Sequence, residues 1–431
     1  MKRLFTLLAA VVVAATSLSA QQFDNYFTNR TLRNDLIFSG DCKAQQVTLR
    51  QLLSWSGWAG RRVNLDQVAL EGNGQLTMTD SATGAVIYRT SFSSLFQEWL
   101  TTPEATTTHK AYEFTILVPM PTHPADVMVT LLNERREQTA VLDYHIDPTD
   151  ILIRNTDSQA TTPHKVIYQS GPAEEKIDVA IVAEGYTVGE MGTFLADAQA
   201  TVDALLSYEP FKSQADKFNF VAVESASVDS NVSIPREGIW RNTAVGSHFD
   251  TFYGARYLTT SQVFDLYDLL NGIDYEHLII LANTDTYGGG GIYNSYTLTT
   301  AHHPLFKPVV VHEFGHSFGG LADEYFYEND PLSPGLYLPG IEPWEQNLTT
   351  LANFESKWAD MLPEGTAIPT EVTPERTKNF TVGVYEGGGY QFKGVYRPAD
   401  ICRMRDNVAT QFCPVCQRAL ARMIEFYTTE R

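Results

Sequence analysis

The stretch VVVHEFGHSFGGLADEY, residues 309–325, places two histidines four positions apart, with a glutamate directly after the first. Residues four apart lie on one face of an α-helix, so His312 and His316 stack one turn apart. The opposite face carries an apolar stripe: Val310, Phe314 and Phe318. Burial of that stripe leaves both imidazoles pointing into a cleft. The pattern therefore predicts a helix with a core face and a separate ligand face.

The limits of this helix are also marked in the sequence. Pro308 suits the first helical position, and the pair Gly319–Gly320 can end the helix. Glu313 lies about 60° around the helix from His316, close enough to reach a metal-bound water without being a ligand. Two imidazoles with one carboxylate and an open fourth position are typical of catalytic zinc. We therefore predict one Zn²⁺ per chain, with Glu313 as the catalytic base.

The third protein ligand is less clearly marked. A glycine three residues after the second histidine, with a ligand three residues later, would put Ala322 at the ligand position, and alanine cannot bind metal. A shift by one residue selects Asp323, which we favour because the glycine pair can turn the chain back under the metal. Glu324 is the local alternative. The remaining alternatives are glutamates further along the chain: Glu328, Glu342 and Glu345.

Residues 21–153 are predicted to form an all-β sandwich domain. The segment GQLTMTDSATGAVIYRTSF alternates polar and apolar residues on both sides of a turn over residues 80–84, which indicates a hairpin. Further segments with the same period follow, namely AYEFTILVPMP, DVMVTLLNE and TAVLDYHID. Chemistry-bearing residues do not cluster here, so we predict an accessory or targeting module rather than a second active site.

Residues 165–431 are predicted to form the catalytic domain, of α/β (α+β) type. A polar, aperiodic segment over residues 154–165 separates it from the first domain. Buried-strand patterns then alternate with helical ones, in the order KIDVAIVAEGY, residues 190–208, FNFVAVESAS, TTSQVFDLYDLLNG and HLIILANTD. Such alternation favours a parallel sheet with helical crossovers. The segment GGIYNSYTLTT is predicted to be a sheet-edge strand that lines the cleft.

The first twenty residues, MKRLFTLLAAVVVAATSLSA, have a basic start, an apolar centre and a small-residue end. This is the pattern of a secretory signal peptide, so we expect a secreted, periplasmic or cell-surface protein. No later segment is apolar enough to predict a membrane span. The net charge of −20 argues against nucleic acid and anionic membranes as partners. The oligomeric state is not indicated.

Three of the four cysteines fall near the C-terminus: Cys402, Cys413 and Cys416. An oxidising compartment permits disulfides, so we predict one structural disulfide among these three that involves Cys402. Cys42 would then be free or would reach across domains. A zinc knot is a weaker interpretation of the Cys-x-x-Cys pair, because the second half of a knot is missing.

The motif HEFGHSFGGLADEY, the block VGVYEGGGYQFKGVYRPADICRM and the C-terminal Cys-x-x-Cys together resemble the bacterial immunoglobulin A metallopeptidase family, which are metzincin-like zincin peptidases. The resemblance covers about residues 165–425 and implies an N-terminal β-domain. It also implies that His312, His316 and Asp323 bind zinc, that Glu313 is the base and that Met404 forms a Met-turn beneath the metal. It does not imply that immunoglobulin A is the substrate.

These features predict a secreted zinc endopeptidase that cleaves protein or peptide substrates. Tyr390 or Tyr396, both in the glycine-rich block, would donate a hydrogen bond to the oxyanion, and we favour Tyr390. A different class of protein is the main alternative: a catalytically idle zincin-fold protein whose β-domain binds a glycan or a host protein. A zinc hydrolase that acts on a non-peptide amide is a further alternative. The intact Glu313 argues against an idle fold.

Overall fold

The computed structural model describes residues 23–327 and 336–429. The predicted signal peptide, residues 1–20, and Glu328 lie outside the described residues. Within them, a β-rich region comes first and a mixed α/β region follows. No helix in this part of the chain is both long and apolar enough to cross a membrane.

Two four-stranded sheets form the β-rich region. The strands of the first sheet are β1 (Phe27–Gly40), β2 (Gln45–Ser56), β5 (Lys110–Pro121) and β8 (Arg154–Asn155), in the order β5-β1-β2-β8. Those of the second are β3 (Gly74–Asp80), β4 (Val86–Phe92), β6 (Ala125–Leu132) and β7 (Gln138–Ile146), in the order β4-β3-β6-β7. Two short helices accompany them, α1 (Phe23–Tyr26) and α2 (Leu95–Leu100).

The two sheets share one hydrophobic core, to which alternate residues of each strand contribute. Members of this core include Leu36 and Phe38 of β1, Met78 of β3 and Val127 of β6. The predicted hairpin is present, since β3 and β4 pair antiparallel around a turn in which the Gly84 N–H donates to the Asp80 carbonyl. The prediction of a β-rich N-terminal region is therefore confirmed.

A six-stranded sheet organises the α/β region. Its strands are β9 (His164–Tyr168), β10 (Ile177–Glu184), β11 (Phe218–Val223), β12 (His277–Ala282), β13 (Gly289–Ile292) and β14 (Tyr296–Thr300). In the order β13-β14-β12-β10-β11-β9, the four inner strands are parallel and the two edge strands are antiparallel to their neighbours. Every residue of β10 is buried, because both faces of the sheet are covered.

Helices on the two faces of this sheet belong to two separate cores. One face packs against α3 (Met191–Leu205), α5 (Phe306–Ser317) and α7 (Pro414–Thr428). The other face packs against α4 (Val263–Leu269). The predicted alternation of strands and helices is confirmed, and α5 is the helix predicted from residues 309–325.

The chain between α5 and α7 contains little regular structure. It holds α6 (Pro374–Lys378) and a hairpin of β15 (Tyr385–Gly388) and β16 (Gln391–Arg397). The turn of this hairpin is bonded to the segment after α5, since the Gly389 N–H donates to the Asp323 carbonyl at 2.8 Å and the Tyr390 N–H to the Tyr325 carbonyl at 2.9 Å. The hairpin is thereby held beside α5.

The β-rich region packs directly on the α/β region. The buried guanidinium of Arg33 donates to the Phe264 carbonyl at 3.1 Å and to the Asp268 carboxylate. On another side, the Asn64 amide donates to the carbonyls of Phe426 and Thr429, both at 2.8 Å. These buried polar contacts fix the β-rich region against the helices that surround the six-stranded sheet.

Candidate metal centre

Helix α5 separates its two faces as predicted. Its apolar stripe is completely buried, comprising Val310, Phe314 and Phe318. His312, Glu313 and His316 are half-buried on the other side. The helix begins at Phe306, so the prediction that Pro308 takes the first helical position was wrong. Proline is tolerated there because the N–H groups of the first turn have no partner inside the helix.

The two imidazoles and one carboxylate point at a common centre. The Nε2 atoms of His312 and His316 are 3.0 Å apart. The Oδ1 atom of Asp323 lies 3.0 Å from the first Nε2 and 3.3 Å from the second. The sequence interpretation had selected these three residues from spacing, and the fold brings all three together.

A tight turn after α5 returns the chain to the histidines. The Gly320 N–H donates to the His316 carbonyl at 2.9 Å, and the Leu321 N–H donates to the Gly315 carbonyl at 3.1 Å. The first of these bonds is the 5→1 bond of an αL cap, which needs a left-handed residue, and Gly320 has a φ of 57°. The glycine pair therefore does end the helix and aims Asp323 at the imidazoles.

Both imidazoles are held in one tautomer by backbone carbonyls. Nδ1 of His312 lies 2.9 Å from the carbonyl oxygen of Arg403, and Nδ1 of His316 lies 2.5 Å from that of Leu321. A carbonyl can only accept, so each Nδ1 must carry the proton and donate it. In the neutral rings each Nε2 then presents a lone pair to the common centre, as in a metal-ligating histidine.

The centre fits a cation. Asp323 Oδ1 is buried, and no hydrogen-bond donor reaches it within the described ranges 23–327 and 336–429. When both rings are neutral, three lone pairs meet at about 3 Å with no proton between them, so they repel one another. A cation bound among them replaces this repulsion with attraction. Two imidazole nitrogens and a carboxylate oxygen are the donor set of catalytic zinc, which keeps its fourth position open.

When no cation is bound, a proton on a histidine supplies the positive charge beside Asp323. Burial lowers the pKa of His316, but the Asp323 carboxylate outweighs burial and raises this pKa to about 9. Burial alone would raise the pKa of Asp323, yet the two histidines hold the pKa of its carboxyl far below the usual range. Protons and a metal ion therefore compete for the same three atoms.

Glu313 lies beside this centre. One of its carboxylate oxygens is within 4.8 Å of a ring nitrogen of each histidine. Burial raises the pKa of Glu313, and the two histidines oppose that effect. A carboxyl that is destabilised as an anion and lies next to a metal-bound water is a suitable proton acceptor. The role of Glu313 as the base stays a prediction.

Strand β13 passes very close to α5, and glycine makes this possible. A Cβ atom at Gly289 would lie 2.7 Å from Glu313 Oε1, and one at Gly291 would lie 2.3 Å from the Glu313 carbonyl oxygen. The segment predicted as one edge strand is a hairpin of β13 and β14, in which β13 is at the sheet edge and β14 is an inner strand. However, Gly289 already exchanges hydrogen bonds with Arg256 and Leu258 at 3.2 and 3.3 Å, so this part of the edge has a partner.

Tyr390, the predicted oxyanion donor, reaches the centre. Its hydroxyl donates to Asp323 Oδ2 and accepts from the Tyr325 hydroxyl at 3.4 Å. The residue has a φ of 64°, a conformation that costs a bulky side chain energy, and the turn of the β15–β16 hairpin imposes it. In this structure Tyr390 orients a candidate ligand carboxylate. Tyr396, the alternative donor, lies in β16 and its backbone pairs with Thr349.

Met404 packs against α5 at Gly315. A Cβ atom at Gly315 would be 2.7 Å from the Met404 sulfur, so only glycine allows the helix to rest on this side chain. Met404 is completely buried and its neighbour Arg403 supplies the carbonyl that orients His312. The Met-turn that the resemblance implies at this residue stays a prediction.

The alternative ligands make their contacts elsewhere. Glu342 accepts from the Asn353 N–H at 2.9 Å, and Glu345 accepts from the Tyr337 hydroxyl at 3.2 Å. Glu324 extends to the opposite side of the chain from Asp323, where its carboxyl meets cysteines. Among the described acids that were considered, Asp323 is the one at the histidine pair.

The cysteine prediction was wrong for this structure. The structure has all four cysteines as free thiols, with Cys42 exposed and Cys402, Cys413 and Cys416 buried. The three buried cysteines do meet, but they surround the Glu324 carboxyl and form no disulfide with one another. The Cys-x-x-Cys pair marked this cluster in the sequence. The sequence did not reveal that Glu324 lies among the cysteines.

A carboxyl of the β-rich region also lies near the centre, where no chemistry was expected. The Tyr257 hydroxyl donates to Glu98 of α2. Burial raises the pKa of Glu98 to about 7, and the charges of His316, Asp323 and Glu313 also act on it. Only the folded arrangement reveals this residue, because residues 95–100 are far from the motif in sequence.

Two family models together match most of the chain. The model of a family described as IgA Peptidase M64 matches residues 166–381 and 371–424. The model of a second family, described as Peptidase M64 N-terminus, matches residues 22–143. The first match includes α5, Asp323, Tyr390 and Met404, and the second includes β1 to β6 and ends within β7. A search of curated proteins gave no match.

Proposed function

Because the chain belongs to the IgA peptidase M64 family and is thus a metallopeptidase that acts on protein, we propose that it is a secreted zinc endopeptidase. In this proposal residues 21–153 form an accessory β-sandwich and residues 165–431 a zincin-like catalytic domain. Secretion rests on the signal-peptide pattern of residues 1–20. His312, His316 and Asp323 are the metal ligands, and Glu313 is the catalytic base.

One observation carries the proposal. The acceptor atoms of three residues lie 3.0–3.3 Å from one another, each ring is oriented by a carbonyl, and the carboxylate oxygen has no donor in the described residues. A packing or hydrogen-bonding role for these side chains would supply donors to match the acceptors. A set of acceptors alone supports metal binding.

The chemistry requires a water that loses its proton near neutral pH. A zinc ion bound to such a donor set supplies Lewis-acid chemistry, which lowers the pKa of water to about 7. Glu313 takes the proton from the attacking water and passes it to the leaving amine. The half-buried position of Glu313 keeps bulk water from competing for that proton, while the histidines beside it stabilise the ionised form.

Tyr390 and Arg403 position the reacting groups rather than exchange protons in the ground state. The Arg403 carbonyl fixes one ring, and the Tyr390 hydroxyl fixes the free oxygen of Asp323. In the proposal the Tyr390 hydroxyl also turns toward the oxyanion as charge develops, since the same donor can serve either acceptor. The outer edge of β13 beyond Gly289 is where an extended substrate would lie.

The proposal is tested by Glu313→Gln, which removes the base and keeps the shape of the side chain. General acid–base catalysis contributes about 10²–10⁴-fold, so hydrolysis of casein should fall by that factor or more. Zinc content, measured by inductively coupled plasma mass spectrometry, should stay at the wild-type value. The matched control is Glu134→Gln at an exposed loop position, which should keep full activity. Full activity of Glu313→Gln would overturn the proposal.

A further inference from the structure

Four buried side chains meet behind the candidate metal centre: Glu324, Cys402, Cys413 and Cys416. One ligand atom of each, three sulfurs and a carboxylate oxygen, lies within 4.8 Å of all the others. All four side chains are completely buried. A buried thiol needs no partner, but a buried carboxyl must be satisfied by water or by a protein group, and here three thiols lie around it.

Three separate segments build this cluster. Glu324 comes directly after Asp323, and Cys402 comes from the loop that precedes Met404. Cys413 and Cys416 form a Cys-x-x-Cys turn at the start of α7, where Cys413 is the residue before the first helical position. The Cys413 N–H donates to the Cys402 sulfur at 3.2 Å, so this hydrogen bond joins the loop to the start of α7.

The Glu324 carboxyl is only half satisfied. Its Oε1 atom accepts from the Asn347 amide at 3.0 Å and from the Cys416 thiol at 3.0 Å. Its Oε2 atom is buried and has no hydrogen-bond partner within the described residues. Arg397, whose positive charge acts on Glu324, donates its hydrogen bonds to Asp400 and to the carbonyls of Glu386 and Gly387. Among the described residues, no donor therefore satisfies this buried oxygen, while the other oxygen of the same carboxyl contacts a cysteine thiol.

We propose that these four residues bind a second zinc ion, separate from the catalytic one. Thiolates and a carboxylate are zinc donors, and four protein ligands in a closed shell are the arrangement of a structural zinc site. Binding displaces the thiol protons to solvent, since each coordinating sulfur must be a thiolate. With the fourth position filled by protein and no access for water, this ion does not catalyse hydrolysis.

The second ion would stabilise the two segments that position the candidate metal centre. Glu324 is bonded to Asp323, and its N–H donates to the Met404 carbonyl at 2.8 Å. Cys402 precedes Arg403, whose carbonyl orients His312. An ion that joins Glu324 and Cys402 to α7 therefore fixes both the third ligand and the segment beneath the histidines. The role is one of positioning.

A disulfide is the competing outcome for this cluster. An S–S bond between any two of the three sulfurs would leave Glu324 and one thiol without a central partner. The two outcomes differ in metal content and in the number of free thiols. The wild-type protein itself distinguishes them, so the test does not depend on whether a cysteine variant folds.

The experiment uses the full chain with the zinc it acquires on expression. We expect two zinc ions per wild-type chain, and one in His316→Ala. The zinc K-edge absorption of His316→Ala should show sulfur neighbours at about 2.3 Å. Cys413→Ser should lose one ion, and Cys42→Ser, which changes the exposed cysteine, should keep both. The thiols of the wild type should all react with iodoacetamide after denaturation in chelator without reductant.

Two results would overturn the second site. One is His316→Ala protein without zinc, or with zinc that has only nitrogen and oxygen neighbours. The other is wild-type protein that has lost two hydrogens in its intact mass and retains only two free thiols. Neither result bears on the proposed function, which is tested through Glu313. An inactive protein with sulfur-bound zinc would conversely contradict the proposed function alone.

Discussion

Asp323 and Glu324 are neighbours in the chain, yet they lie in two different environments. Asp323 meets two half-buried histidines at a centre that Glu313 and solvent can reach. Glu324 meets three cysteines in a space that is completely buried. Adjacent residues of an extended segment point to opposite sides, so one short stretch of chain serves both centres.

The difference between the two centres lies in access and in donor type. The Asp323 centre has three protein donors and an open side, which a reaction requires. The Glu324 centre has four donors, three of them soft sulfurs, and no open side. In the two proposals, the first centre performs the chemistry and the second stabilises the segments that position it.

The largest expected effect is a contrast between Asp323→Ala and Glu324→Gln. Asp323→Ala removes a ligand of the open centre, so casein hydrolysis should fall to background and one zinc ion should be lost. Glu324→Gln keeps the open centre and weakens only its support, so activity should fall by about 10–100-fold, as for other changes behind a metal ligand. For each variant, hydrolysis and zinc content are measured on the same preparation at low temperature.

A reversed order of activity would break the comparison between the two centres. If Glu324→Gln were the inactive variant and Asp323→Ala retained hydrolysis, Glu324 would be the third ligand of the open centre. Circular dichroism of each variant is the control, because a loss of fold would remove activity without regard to ligand identity.

A smaller effect is expected where β13 packs on the open centre. Gly291→Ala places a methyl group 2.3 Å from the Glu313 carbonyl oxygen, so either the strand or α5 must move. Such overpacking costs about 1–3 kcal/mol, which should appear as a lower midpoint in thermal unfolding. Gly192→Ala, at a position with open space in α3, is the matched control and should be neutral or slightly stabilising. Equal midpoints would contradict the close packing.

The smallest effect comes from a buried carboxyl that has no cysteines around it. Burial raises the pKa of Glu276 to about 8, although the Arg61 N–H at 2.7 Å favours its anion. The folded state therefore keeps a proton that the unfolded state releases near pH 4.5. The stability due to this proton is fully present below pH 4.5 and is lost as the pH rises through 8.

Glu276→Gln removes that titration, so the variant should gain stability relative to wild type between pH 4.5 and 8, by about 1 kcal/mol or more at pH 8. Glu324→Gln should have the opposite sign at pH 8, because it removes a metal ligand. Urea unfolding at both pH values measures the difference. The same sign for both variants would mean that Glu324 is merely a buried acid.

The open centre was predictable because its signal is local. His312, Glu313 and His316 lie on one helix, and the period of the helix places them without knowledge of the rest of the fold. Asp323 follows within one tight turn, so spacing and the glycine pair favoured it over the alternatives. The β-rich region and the strand–helix alternation were likewise visible from period alone.

The closed centre was not predictable because its residues meet only in the folded chain. Cys402 and Cys413 come from different segments, and Glu324 was considered only as a rival ligand of the histidines. The presence of cysteines in a chain predicted to be exported favoured a disulfide, whereas the structure surrounds a carboxyl with thiols. Glu98 was missed for the same reason, since it approaches from the β-rich region.

Anomalous diffraction at the zinc absorption edge, on crystals of the wild-type protein, tests the central claim most directly. The account predicts a peak about 2.0–2.2 Å from His312 Nε2, His316 Nε2 and a carboxylate oxygen of Asp323. A map without a peak between these atoms, or with those side chains bonded only to protein, would contradict it.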